Sequence, residues 1–174
     1  RLLSSAASDV YKRQPLIEIL NIESKKMNQI KMTDEVYDVS LAYNNNFDER
    51  FFRYSYSSLK TSPQIYKYDL FESKNDVIWK KQVRNFFDSN YDVKRIKTSA
   101  RDKTEVPVSI VYKKGLDLQN SPMLVYGYGS YGINMDSNFR SSIIPLLDRG
   151  FIFAISQIRG CLLYTSDAAD ERRR

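Results

Sequence analysis

A chain of 174 residues has room for one domain or for parts of two, and none of its apolar runs approaches the eighteen or so residues of a membrane span. Lys and Arg outnumber Asp and Glu by 27 to 21, but they are scattered through turns and strand faces, so neither a nucleic-acid nor a membrane partner is expected. With no histidine and one cysteine, the chain can complete neither a Ser-His-Asp nor a Cys-His site, and no metal or other cofactor is expected.

The two ends stand apart. Ser4 to Gln14 (SSAASDVYKRQ) and Cys161 to Glu171 (CLLYTSDAADE) look unrelated as peptides. When the first is back-translated, the reverse complement of its codons, read one base along, encodes the second. That DNA segment resembles the transposon-end adapter of sequencing libraries. Residues 1–14 and 161–174 are therefore expected to be translated adapter and not native, and are set aside from fold reasoning. Cys161 goes with the tail, leaving a native part without thiols, which fits a cytoplasmic protein.

From Pro15 to Arg84 short strands follow one another. Leu16–Ile22 and Met27–Met32 flank a polar turn and read as a hairpin. Val36–Tyr43, Arg50–Ser58, Ile65–Phe71 and Val77–Arg84 follow, each rich in β-branched or aromatic residues and closed by Asn, Asp, Ser or Pro. Four consecutive strands with short connections predict a four-stranded meander, the unit of a propeller blade. Glu23-Ser24-Lys25 recurs as Glu72-Ser73-Lys74 in the same hairpin context, at an offset that suits a propeller array. On this reading residues 15–86 are the end of a β-propeller, one half blade and one full blade. A plain antiparallel sheet would present the same pattern.

Gln82–Asp92 loses periodicity and reads as a crossing between domains. Val93–Thr98 and Val106–Tyr112 predict a second hairpin, with Pro107 demoting its strand to an edge or an edge position. Met123–Tyr126 is a short apolar run of the kind buried in parallel sheets. Ser141–Arg149 carries Ile143, Ile144, Leu146 and Leu147 at helical spacing, with Ser141 as a candidate N-cap and Gly150 as the stop. Phe151–Ile158 is a further strand. Strand, helix, strand is a βαβ unit, so 87–160 is expected to be a linker and the start of an α/β domain with a mixed or parallel sheet.

At the end of the Met123 strand, tyrosines alternate with Gly127, Gly129 and Gly132, and strand ends of this kind are where open α/β sheets place ligands. Gly127–Gly132 formally matches GxGxxG, but no helix opens on it, and Ser156 and Gln157 stand where the dinucleotide fingerprint requires an acid. Ser130 has tyrosine two residues before it, where the nucleophile elbow requires glycine, and it has no histidine base. The third reading is an oxyanion stabiliser: a tyrosine hydroxyl held by neighbouring glycines can donate to a developing alkoxide. Tyr126 and Tyr131 read as packing aromatics.

These residues carry a resemblance. VYGYGSYG (Val125–Gly132) followed by LLDRGFIFAISQIRG (Leu146–Gly160) resembles the prolyl oligopeptidase family of serine peptidases, its oligopeptidase B branch in particular. Arg53–Ser58 (RYSYSS) and Thr98–Ser109 (TSARDKTEVPVS) extend the likeness across nearly all of Pro15–Gly160. The resemblance implies a β-propeller over an α/β-hydrolase domain with a Ser-Asp-His triad between them. It implies Tyr128 as the phenolic oxyanion donor, supported by Gly127, Gly129 and Gly132, with the triad and the acidic specificity residues beyond Gly160. It further implies cleavage of short peptides after Arg or Lys by the full-length parent, whereas this polypeptide alone is expected to be inactive and poorly stable. A proline-preferring relative, or a propeller-type binding module without chemistry, remains the alternative.

Overall fold

The structure, a computed structural model, describes residues 2–9, 14–21, 24–45, 49–129 and 135–158, with the backbone alone at 2–9 and 14. Three sheets follow in chain order. β1 (Leu2–Asp9), β2 (Gln14–Asn21) and β3 (Met27–Gln29) make the first, antiparallel throughout. The expected hairpin is β2–β3. It closes through Lys25 at φ 53° and a bond from the Ser24 amide to Asn21 Oδ1 at 3.0 Å. β3 is short because the chain turns inward at Ile30, whose amide bonds the Ile17 carbonyl at 3.0 Å. β1 belongs to the segment set aside as foreign. Its backbone nonetheless pairs along the whole of β2, from Leu2 opposite Asn21 to Asp9 opposite Gln14. A strand edge offers unpaired N–H and C=O groups, and any extended backbone can satisfy them.

β4 (Tyr37–Leu41), β5 (Phe51–Ser58), β6 (Gln64–Asp69) and β7 (Lys74–Lys80) form the predicted meander, paired in sequence order. Period-two alternation on β5 buries Phe52, Tyr54 and Tyr56. Register places Phe52 opposite Tyr68 and Tyr54 opposite Tyr66, and both ring pairs are in contact, at 5.3 Å and, stacked, at 5.2 Å. Such cross-strand aromatic pairs are the unit of sheet stabilisation, each worth roughly 0.2–1 kcal/mol. The first two sheets share a core of Ile17, Ile19, Ile30, Val39 and these aromatics. The Glu-Ser-Lys repeat is approximate in three dimensions. The left-handed residue is Lys25 in one turn and Ser73 in the other, one place earlier in the triplet. β7 is exposed along its whole length, with Val77, Ile78 and Trp79 each about half accessible.

β8 (Tyr91–Ser99), β9 (Glu105–Lys113), β10 (Met123–Gly127) and β11 (Ile152–Ser156) form a mixed sheet in the order β10-β11-β9-β8. β10 and β11 are parallel, and the other pairs are antiparallel. β9 is an interior strand, so Pro107 does not mark an edge strand; it holds the other expected place, an edge position at the end of the pairing with β11. The Pro107 carbonyl accepts from the Gln157 amide just beyond the end of β11, and Val108 is the last β9 residue paired with that strand. The proline nitrogen points to the same side, where the ladder has ended and no N–H is needed.

α1 (Ile144–Asp148) is preceded by a 3₁₀ turn over Ser141–Ile143. Ser141 makes no capping bond, because the turn displaces the N-cap of the α-helix to Ile143. Pro145 sits in the first turn, where its missing N–H would have had no partner anyway. Gly150, at φ 86°, ends the helix with two bonds, its own amide to the Leu147 carbonyl and the Phe151 amide to the Leu146 carbonyl. That left-handed closure favours glycine.

One face of the mixed sheet packs Tyr91, Val93, Val111, Phe153 and Ile155 under Ile143 and Leu147, and Val36 and Leu59 of the meander join the same cluster. The expectation of a buried Met123 strand is not met. Met123, Leu124, Val125 and Tyr126 are all exposed, because β10 is the edge of its sheet and its apolar side chains lack a covering layer.

Candidate functional site

β10 and β11 run side by side and finish together, Gly127 opposite Ser156. The carboxyl ends of two parallel strands therefore present Tyr128 and Gly129 from one chain segment and Gln157 and Ile158 from the other. This is the sheet end at which α/β proteins place ligands.

Gly127 closes β10 in extended backbone. A methyl group built on it would lie 3.5 Å from the Ser156 carbonyl oxygen and 3.8 Å from the Ile158 side chain, ordinary contact distances. Close approach among the described residues therefore does not dictate glycine here. Gly129 is half-buried. Gly132 lies outside the described residues, as do Ser130 and Tyr131.

Tyr128 is 37 % exposed at the lip of the strand. Its side chain carries a phenolic O–H donor. Tyr126, expected as a packing aromatic, is instead an exposed ring on the edge strand, with the Arg140 guanidinium 5.1 Å from its centroid. The acid that a dinucleotide site needs at the end of β11 is absent. Gln157 occupies that place and donates from Nε2 to the Met135 carbonyl at 2.8 Å. Among the described residues after the loop, 135–140 are non-helical.

A group of residues that spacing did not reveal gathers around that non-helical segment. Phe139 donates its amide to Ser57 Oγ, at the end of β5, at 3.1 Å. Its ring meets Phe86 edge-on at 5.0 Å, and Phe86 stacks on Tyr91 at 5.2 Å. Ser57 belongs to the RYSYSS stretch, but nothing in the alternation of that stretch signals a contact so distant in sequence. Asp38, on β4, faces the same segment. Burial raises its carboxyl, the Asp136 charge raises it further, and bonds from Asn138 and the Val39 amide oppose the rise without cancelling it.

A separate cavity of about 260 Å³ lies between the meander and the crossing, lined by Asp34, Tyr56, Lys60, Gln64, Tyr66 and Asp88 among others. Asp34 accepts from Tyr56 Oη at 2.9 Å and from Thr61 Oγ1 at 2.8 Å, and Lys60 Nζ stands 3.2 Å away. Burial alone would push this carboxyl up, but bonds with Ser58, Thr61 and Tyr56 and the Lys60 charge hold it below the usual range. No described residue of the tyrosine-glycine loop lines this cavity. Among the described residues no three His, Cys, Asp or Glu side chains gather in a way that could hold a metal ion, and no helix is long and apolar enough to cross a membrane.

No family model matches the chain. It is 35 % identical over 133 residues to dipeptidyl aminopeptidase BI of Pseudoxanthomonas mexicana, covering 75 % of this chain and 18 % of that protein. Protease 2 of Moraxella lacunata is 29 % identical over 147 residues, covering 83 % of this chain and 21 % of the relative. Among solved structures, oligopeptidase B from Leishmania major superposes with a TM-score of 0.77 at 30 % identity, over 93 % of this chain and 24 % of that one. The chain thus spans about a fifth of the length of the curated relatives it matches.

Proposed function

The chain belongs to the prolyl oligopeptidase family of peptidases and is oligopeptidase B-like, and on that premise we propose that it is a segment of a serine-type oligopeptidase. In this reading 15–86 is the end of a β-propeller, 87–160 is a linker and the start of an α/β-hydrolase domain, and 1–14 and 161–174 are not native. The nucleophile, acid and histidine lie downstream, so this polypeptide alone does not cleave peptides. The parent acts on short peptides after Arg or Lys, in the cytoplasm.

The observation that carries the reading is the place of Tyr128, a phenol directly after a strand whose carboxyl end is flush with that of its parallel neighbour. Acyl transfer from a peptide to a serine turns the scissile carbonyl into an oxyanion. A phenolic O–H preset toward that oxygen is worth about 2.7–4 kcal/mol in the transition state. Tyr128 supplies that donor, and the backbone around Gly127 and Gly129 sets its position.

The test is the gene and its product. The sequence downstream of the Gly160 codon is expected to encode a GxSxG serine and, later, an acid and a histidine. The full-length chain is expected to hydrolyse peptides after Arg or Lys and to be silenced by a serine-directed covalent inhibitor. Cleavage after proline, or release of N-terminal dipeptides, would move the protein to another branch of its family. Absence of a downstream serine nucleophile would end the peptidase reading.

A further inference from the structure

We infer that Ser57 and Gln157 are positioning residues for Tyr128: one on the meander and one past β11, they pin the chain that leaves the tyrosine-glycine loop, so the phenol's placement depends on both sheets. The inference rests on the oxyanion reading of Tyr128 given above.

The chain leaving that loop is held at several points. Met135 is fixed through its carbonyl, which accepts from Gln157 Nε2 at 2.8 Å. Phe139 is fixed through its amide, which donates to Ser57 Oγ at 3.1 Å. The Ser57 hydroxyl spends its own proton on the Thr61 carbonyl at 3.3 Å, which leaves its oxygen oriented as an acceptor. Ser57 and Gln157 are both buried, so water does not readily replace either bond, and a buried amide or carbonyl deprived of its partner carries a penalty. Next in line, the Arg140 guanidinium lies over the ring of Tyr126, two residues before Tyr128 on the strand that enters the loop. Entry and exit of the loop are thus tied to each other, and the exit is tied to the meander. A side chain that acts in the transition state has to be held within a fraction of an ångström, and a 1 Å misplacement can cost on the order of a hundredfold in rate.

A role confined to holding the sheets together would predict the same contacts, and kinetics separates the two. In the full-length peptidase, Ser57→Ala is expected to lower kcat about tenfold with KM little changed, as loosening a transition-state donor does. In a Tyr128→Phe background the same substitution should cause little further loss, because the donor it positions is already gone. Gln157→Leu, which removes the second tie, should behave alike and decides the matter if Ser57→Ala does not fold. Ser40→Ala removes the exposed hydroxyl pair between Ser40 and Ser55 (2.7 Å) elsewhere on the meander and should leave kcat unchanged. An unchanged kcat in folded Ser57→Ala or Gln157→Leu, or an equal proportional loss with and without the Tyr128 hydroxyl, overturns the inference while leaving the oxyanion reading intact. An unchanged kcat in Tyr128→Phe alone overturns the oxyanion reading itself.

Discussion

Tyr56 Oη donates to Asp34 Oδ2 at 2.9 Å and accepts from the Asp34 amide at 3.2 Å, so one phenol on β5 both charges and caps the turn that leads into β4. The carboxylate raises the phenol's own pKa, adding to the larger effect of burial, because ionising Tyr56 would set two negative charges against each other. The same contact helps keep Asp34 ionised, along with Ser58, Thr61 and Lys60.

Tyr56→Phe should loosen this corner. A hydrogen bond to a charged group contributes about 1.5–3 kcal/mol, and the carboxylate would lose one of its donors in a buried place. Amide hydrogen exchange in the full-length protein should report faster opening around Asp34 and Thr61 by a corresponding factor. Wild-type protection at those amides would contradict the contact's importance.

Asp38→Asn should stabilise the protein at pH 7. The folded-state pKa of Asp38 is raised, by burial first and by Asp136 second. A carboxyl with a raised folded pKa favours the fold fully below the unfolded value near 3.9 and loses that contribution as pH rises through the folded value. At neutral pH the ionised Asp38 is therefore a cost that asparagine removes, and the gain in melting temperature should shrink as pH falls toward 4. A variant less stable at pH 7, or one whose gain is independent of pH, would show that the bonds from Asn138 and the Val39 amide outweigh burial.

Produced alone, the chain should self-associate. β7 exposes Val77, Ile78 and Trp79, and β10 exposes Met123, Leu124 and Val125 along an unpaired edge. Apolar edge strands without a neighbour are templates for pairing with another copy. Sedimentation velocity should show mass rising with concentration, and thermal unfolding should be broad. A monomer at high concentration with a sharp cooperative melt would contradict this expectation.

Much of the architecture was legible because strands announce themselves by alternation. Phe52, Tyr54 and Tyr56 gave the face of β5 directly, and Gly150 marked the end of the short helix, although Ser141 did not cap its start. Burial of β10 was misread because an apolar run specifies the environment a strand is suited to, whereas exposure depends on which neighbours are present. Pro107 left open whether its strand or only its position was at an edge, because its cost depends on whether the ladder still needs an N–H at that point, which only register decides. The ties at Ser57 and Gln157 could not be read at all, since each joins residues remote in sequence and neither breaks the local pattern. Tyr128 stood out because of the glycines around it, although Gly127 itself is not required by space.

The most direct measurement is the steady-state kinetics of Tyr128→Phe in the full-length peptidase, with a short peptide carrying Arg immediately before the scissile bond as substrate. Loss of one oxyanion donor predicts kcat lowered about 10²–10³-fold with KM little altered. A wild-type kcat, or a defect confined to KM, would contradict the assignment of that phenol to the reaction.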